Sequence, residues 1–329
     1  MREHDAIFKR AFGVPEAAAA ELRSILPRSL LEQLDLSAME LMPASFVDAE
    51  MTHRHVDLLF RAPRDGRDTY VYFLLEHQSA PDRLMPWRVL TYMQRIWSAI
   101  LRAEPERTSL PSVIPIIVHH GEGGWTSPRR FHDLVEGLDE LPELRPYTPD
   151  FELQIDDLAL VDDEALQRRP LKPFPKVTLW LLRDGRSVET FLEHLVAWAS
   201  ELVSLGQGDP EDAMVVVRYI LRVAGEAPFE LVRDRLTQVA PTFEEAMASI
   251  EEQLIARGIE KGIEKGIEKG IEKGRVDTSR SVLMRLLRAR FGALDAKVRG
   301  RVGEASLVEL ERWIDCFATA ERLEDVFEA

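Results

Sequence analysis

Cys316 is the only cysteine in the 329-residue chain, so neither an internal disulfide nor a cysteine zinc cluster can form. Its expected role is an inert, half-buried thiol rather than a nucleophile. Long apolar runs are missing as well: none approaches the roughly 18–20 residues that a membrane-spanning helix needs. The first thirty residues bring in acids early and hold no clean apolar segment before a cleavage site. A cytoplasmic chain with no membrane partner is therefore expected. A basic excess is the third absence. Lys and Arg number 42 against 57 Asp and Glu, a net charge of −15, which argues against a general polyanion binder because neutralising phosphates takes clustered cations. The deficit is uneven, with 14 basic and 16 acidic residues in positions 1–110 and 28 against 41 in the remainder. Any contact with nucleic acid is thus expected in the N-terminal part.

Hydrophobic residues at 45% and charged residues at 30% are the balance of an ordinary globular protein, and the length suits two or three folding units. Residues 5–34 carry a helical pattern, with Ile7, Phe8, Ala11 and Phe12 on one face and a second helix after Pro15. Residues 40–49, 55–61 and 69–78 are strand-like, the last two forming a hairpin about the turn Pro63-Arg64-Asp65-Gly66. Helical spacing returns over 83–104, where Leu84, Trp87, Leu90, Tyr92, Ile96, Trp97 and Ile100 form a broad apolar face, more often core than a platform for stacking bases. Residues 112–119, SVIPIIVH, suit a strand buried on both faces, although Pro115 favours an edge or bulge. A further strand is expected within 151–161. Most of 162–255 is amphipathic helix, with breaks near Gly185, Gly206 to Pro210 and Pro241. The fold class is α/β: a mixed sheet flanked by helices over 1–161, a helical region over 162–255, a spacer over 256–275 and a small helical tail over 276–329.

The spacer contains GIEKGIEKGIEKGIEKG, with Gly at 258, 262, 266, 270 and 274. A four-residue step advances about 400° around an α-helix, so the Ile stripe drifts by about 40° per repeat and cannot form an ordinary coiled-coil seam. Each Gly costs up to about 1 kcal/mol relative to Ala, which predicts marginal helicity for this segment in isolation. It reads as a semi-flexible spacer or, alternatively, as a self-association stalk.

The chemistry-bearing pattern lies in the hairpin. Alternation places His55, Asp57, Leu59 and Arg61 on one face of their strand, and Tyr72, Leu74, Glu76 and Gln78 on one face of the next. A turn centred near Asp65-Gly66 sets Asp57 across from about Leu74 and makes Glu76 its diagonal neighbour, roughly 7–8 Å away. Two carboxylates so placed can share a hard divalent cation such as Mg²⁺, which would polarise a phosphate and lower the pKa of a bound water. The alternative is that both acids lie on the wet face of a sheet. Their apolar settings, VDLLF and YFLLEHQS, count against it, because a buried charge needs a partner.

HDAIFKRAF (4–12), SFVDAE (45–50), HVDLLF (55–60), YVYFLLEHQS (70–79), MPWRVLTYM (85–93) and IPIIVHHGEGGW (114–125) follow one another in an order that resembles the recombination-promoting nuclease, or transposase-like, family of the PD-(D/E)XK superfamily. The tail, with RFGALDAKVRGRV, SLVELERWI and LEDVF, is similar to extensions found in that family. The resemblance implies a restriction-endonuclease-like core that cuts DNA with Mg²⁺ or another divalent cation such as Ca²⁺ or Mn²⁺, in recombination or in defence against mobile DNA, with a homodimer as the candidate assembly. It makes Asp57 the acid of the second core strand, and Glu76 and Gln78 the two polar positions of the third. The superfamily usually has Lys where Gln78 stands; Gln78 can orient the attacking water but carries no charge. Lys9 and Arg88 are candidates for that cation, though such residues are more often surface charges. Asp5 is a candidate further metal carboxylate, or else a helix N-terminal acid favoured by the dipole. His77 is expected on the face opposite Glu76, and His119 and His120 as loop residues beside a Gly-rich turn. The competing function is a nuclease-like fold retained as a DNA- or protein-binding module.

Overall fold

The computed structural model describes residues 3–43, 57–76, 82–121, 123–185, 187–223, 225 and 228–327. They form two compact units, 1–250 and 251–329. The first unit opens with α1 (Glu3–Phe12), α2 (Pro15–Ile25) and the one-turn α3 (Arg28–Leu31). Ile7, Phe8, Ala11 and Phe12 are all buried, as their spacing requires, and Pro15 sits at the first position of α2, where its missing N–H costs nothing.

A five-stranded sheet follows in the order β1-β2-β3-β4-β5: β1 (Glu40–Leu41), β2 (Asp57–Arg64), β3 (Arg67–Glu76), β4 (Ser112–His119) and β5 (Gln154–Asp157). Strands β1, β2 and β3 are antiparallel neighbours, while β3, β4 and β5 run parallel. Asp65 and Gly66 both have positive φ, 46° and 74°, the geometry of a two-residue type I′ hairpin turn. That turn closes the ladder at Arg64 and Arg67 and so fixes the register of the whole hairpin. Pro63 lies inside β2, not in the turn. Pro115 fits because β5 begins pairing only at Ile116, leaving the proline with β3 alone beside it. Of the strand expected over 40–49 only β1 is described, since residues 44–56 lie outside the described part of the chain.

The two faces of the sheet have different covers. Leu59, Tyr70 and Ile117 pack against Met85, Val89, Met93, Ile96 and Ile100 of α4 (Met85–Ala103), the crossover between β3 and β4. Trp87 does not join them: it is 55% exposed, on the outer side of α4, so the aromatic set of this helix is not one face. On the opposite face Leu58, Phe60, Val71, Ile116 and Val118 meet α1, α2 and the helices that follow the sheet. These are α5 (Asp163–Gln167), α6 (Pro173–Asp184), α7 (Val188–His194), α8 (Ala199–Gly206), α9 (Pro210–Val223) and α10 (Phe229–Val239). Trp180 and Trp198 stack with their ring centroids 4.9 Å apart, within the same apolar cluster as Phe8 and Phe60. The helices after residue 162 therefore share the core of the sheet.

The long α11 (Glu244–Phe291) contains the whole four-residue repeat as continuous helix. Within the second unit, Leu283 and Leu287 of α11 form a small core with Val302 of α12 (Ala296–Glu304), Leu310 and Trp313 of α13 (Leu307–Phe317), and Val326. Ser306 caps α13 with a reciprocal Ser306–Glu309 capping box. No helix among the described residues is long and apolar enough to cross a membrane.

Candidate active site

In-register partners on neighbouring strands share a face, and Asp57 is paired with Leu74. By that register Asp57 and Glu76 fall on the α4 side of the sheet, one diagonal step apart, which is roughly 7–8 Å. The row through Asp57 continues as Leu74, Ile117 and Ile155, all apolar. Two residues further toward the C-terminal ends of the parallel strands the row changes character, reading Glu76, His119 and Asp157 across β3, β4 and β5. One end of one face thus carries four residues able to bind a cation or a proton.

His119 is not a loop residue. It ends β4, is 0% exposed, and meets the Trp125 ring edge-on at 5.4 Å between centroids. Asp157 is 8% exposed and accepts a 2.6 Å hydrogen bond from the Trp125 backbone N–H through Oδ2, while its buried Oδ1 makes no hydrogen bond to a described residue. This bond ties the glycine-rich turn to the end of the sheet. Gly124 there has φ of 75°, and a Cβ would lie 3.0 Å from Asp157 Oδ2, so both conformation and space call for glycine. His120 faces the other way. Its Nδ1 donates to the Leu182 carbonyl at 2.8 Å, and its ring lies 5.3 Å from that of His4, whose Nδ1 is 2.6 Å from the Tyr219 hydroxyl.

The remaining candidates are placed as follows. Asp5 is buried in the first turns of α1. Lys9, one turn further, is exposed. Arg88 of α4 donates to Asp82 at 3.0 Å and to the Tyr92 hydroxyl at 3.4 Å. His77 and Gln78 lie outside the described residues.

Two further charged clusters are built differently. Asp163, Asp184 and His194 bring three ligand atoms within 4.8 Å of one another, beside an open cleft of about 700 Å³ at the end of β4. Arg183, however, donates to both acids, Trp198 to Asp163 at 3.0 Å, Trp180 to Asp184 at 2.8 Å, and His194 Nδ1 lies 2.7 Å from Asp184. A cation there would have to displace a guanidinium, so we read the group as a hydrogen-bonded structural network. On the sheet face opposite Asp57, Arg169 makes paired 2.8 Å bonds to Asp156 and also bonds Glu21. Burial, and then the neighbouring Asp156 charge, push the Glu21 carboxyl well above its usual range. Burial works against the Arg169 charge, but its hydrogen bonds to Asp156 and the two acids more than offset it.

His119 and Asp157 are the residues that reading the chain by itself does not bring to the acids. The only local signals are a histidine closing an otherwise apolar strand and the acid pair in LQIDDL. Joining them to Glu76 takes the parallel register of three strands.

Residues 2–208 match the family model described as "Putative transposase, YhgA-like". The chain is 28% identical over 251 residues to "Recombination-promoting nuclease RpnD" of Escherichia coli O157:H7, covering 76% of this chain and 93% of that one. It is 29% identical over 266 residues to "Recombination-promoting nuclease RpnC" of Escherichia coli K12, covering 78% and 82%. It is also 26% identical over 261 residues to "Inactive recombination-promoting nuclease-like protein RpnE" of the same strain, with the same coverage of 78% and 82%. No solved structure matches the chain.

Proposed function

Because this chain belongs to the YhgA-like transposase family, we propose that it is a divalent-metal-dependent DNA endonuclease acting in recombination or against mobile DNA, with Asp57 and Glu76 at its centre. The single observation that carries this reading is the register: Asp57 opposite Leu74 sets the two acids diagonally on one face of the hairpin. The names of the nuclease relatives support the reaction class. Carboxylates at this spacing suit a hard ion such as Mg²⁺, Mn²⁺ or Ca²⁺. When bound, such an ion supplies Lewis-acid polarisation of a phosphate oxygen and a more acidic water.

The chain's own residues do the rest. In this reading Asp57 and Glu76 bind the ion, and Gln78 orients the attacking water. Lys9 and Asp5 are the proposed source of a cation and of a further carboxylate, although α1 packs on the sheet face opposite Asp57. DNA is the proposed partner. A homodimer is the proposed assembly, supported by Ile259, Ile263, Ile267 and Ile271, each 58–60% exposed along α11. We further propose a cytoplasmic setting, supported by the lone cysteine.

Incubation of the protein with supercoiled plasmid and Mg²⁺ tests the reading, with metal-dependent nicking that stops in EDTA as the expected result. One observation favours a second reading, a catalytically silent DNA- or protein-binding module: a relative of similar identity is named inactive. Plasmid bound but left intact with Mg²⁺, Mn²⁺ and Ca²⁺ alike would select it.

A further inference from the structure

The acidic excess of the chain is interrupted toward its C-terminal end. Of the 42 basic and 57 acidic residues, positions 278–303 hold seven of the first and one of the second, leaving 35 against 56 elsewhere. This run covers the end of α11 and all but the last residue of α12, inside the second compact unit. Its one acid, Asp295, is engaged as the N-cap of α12, where it accepts from the Val298 N–H at 2.7 Å. Three of the cations brace the unit from within: Arg280, Arg290 and Arg301 donate to the carbonyls of Val302, Phe317 and Phe327. The other four, Arg285, Arg288, Lys297 and Arg299, are exposed, and their side chains make no hydrogen bond or ion pair with a described residue.

The α11 dipole favours Arg288, in the last turn of that helix, but the other three gain nothing of the kind. Arg285 stands three residues from Arg288, a spacing at which like charges repel. Lys297 lies in the first turn of α12, the end at which a helix dipole disfavours a cation, and that turn has no acid to offset it. Gly300 and Gly303 belong to the same helix, are exposed, and would bring a Cβ within 4 Å of nothing. Glycine weakens a helix relative to alanine, and here it serves no packing inside the unit. Unpaired cations beside a helix surface bare of side chains suit the close approach of a phosphate backbone.

We propose that the second unit carries a binding surface for duplex DNA, with Arg285, Arg288, Lys297 and Arg299 on its phosphates. The inference rests on DNA as the partner and gives the second unit a contact surface of its own, separate from the cleavage centre. Contacts to phosphate carry no base information, so the surface binds without regard to sequence.

The test is fluorescence anisotropy of the full chain with a labelled duplex in EDTA, so that binding is read without cleavage, between about 50 and 200 mM KCl. Each phosphate contact contributes about 0.9 to the slope of log affinity against log salt. The combined variant Arg285→Gln, Arg288→Gln, Lys297→Gln, Arg299→Gln, folded by circular dichroism, should weaken binding and flatten that slope by about 2–4. Arg285→Lys, Arg288→Lys, Lys297→Arg and Arg299→Lys together keep the charge and should keep the slope. Arg28→Gln, Arg102→Gln, Arg168→Gln and Arg235→Gln together remove the same net charge from exposed positions of the first unit and should leave the slope nearly unchanged. If the first variant binds the duplex with the wild-type slope, the surface is overturned while DNA stands as the partner of the first unit. Equal flattening by the first-unit variant would reduce the effect to net charge and overturn the surface too. A wild type that binds no duplex at the lowest salt also overturns it, and plasmid nicking decides the cleavage reading separately. Tighter binding of a duplex RNA of equal length would overturn the assignment to DNA.

Discussion

Single buried charges place strong demands on this protein, and Glu21, Arg169 and Asp156 show how. Glu21 is 1% exposed beside Asp156, so its protonated form is favoured in the folded chain. A folded-state pKa above the usual 4.5 means stability that is complete below about pH 4.5 and declines as pH rises through the raised value. Glu21→Gln mimics the neutral acid and should melt increasingly above the wild type as pH climbs from 4.5 toward 8. A difference that stays flat across that range would show that Glu21 is ionised in the folded state. Arg169→Ala leaves Asp156 buried without its cation and should cost about 3–5 kcal/mol in denaturant unfolding. Asp157→Ala strands the buried Trp125 N–H, for which a loss of about 1–3 kcal/mol is expected. Because that bond also ties down the glycine-rich turn, faster amide exchange over residues 120–125 should accompany it.

Among the elements, those whose signals are local were legible in the sequence. The strand over 112–119 is found with those bounds, because an uninterrupted apolar run flanked by Pro111 and the glycine turn leaves it no alternative. The Asp65-Gly66 turn alone predicts the pairing of Asp57 with about Leu74, and the hairpin has it. Helix breaks at Gly185, Gly206 and Pro241 are likewise where chain chemistry puts them. Two features were not legible. Trp87 matches the apolar spacing of α4 yet faces outward, since periodicity does not say how wide the covered face is. The Glu76–His119–Asp157 row depends on parallel register, which is set by packing between distant segments. The repeat in α11 is helical, and none of its five glycines would bring a Cβ within 4 Å of a neighbour. Replacing Gly258, Gly262, Gly266, Gly270 and Gly274 by Ala should therefore stabilise this stretch locally by about 1 kcal/mol per site. Slower amide exchange over 258–274 is the readout; unchanged or faster exchange would mean that the glycines serve a contact of their own.

At the scale of the whole molecule, the first unit packs its described helices against the two faces of the sheet in two apolar clusters, while the second unit has its own core around Leu283, Leu310 and Trp313. The chemistry proposed here belongs entirely to the first. Its central claim is that Asp57 and Glu76 form one metal-dependent cleavage centre, and single-turnover cleavage of plasmid DNA in Mg²⁺ tests it most directly. With wild type, Asp57→Ala and Glu76→Ala compared after circular dichroism confirms folding, each variant should lose on the order of a hundredfold or more in rate. Cleavage at the wild-type rate by either folded variant would contradict the claim and move the active site elsewhere.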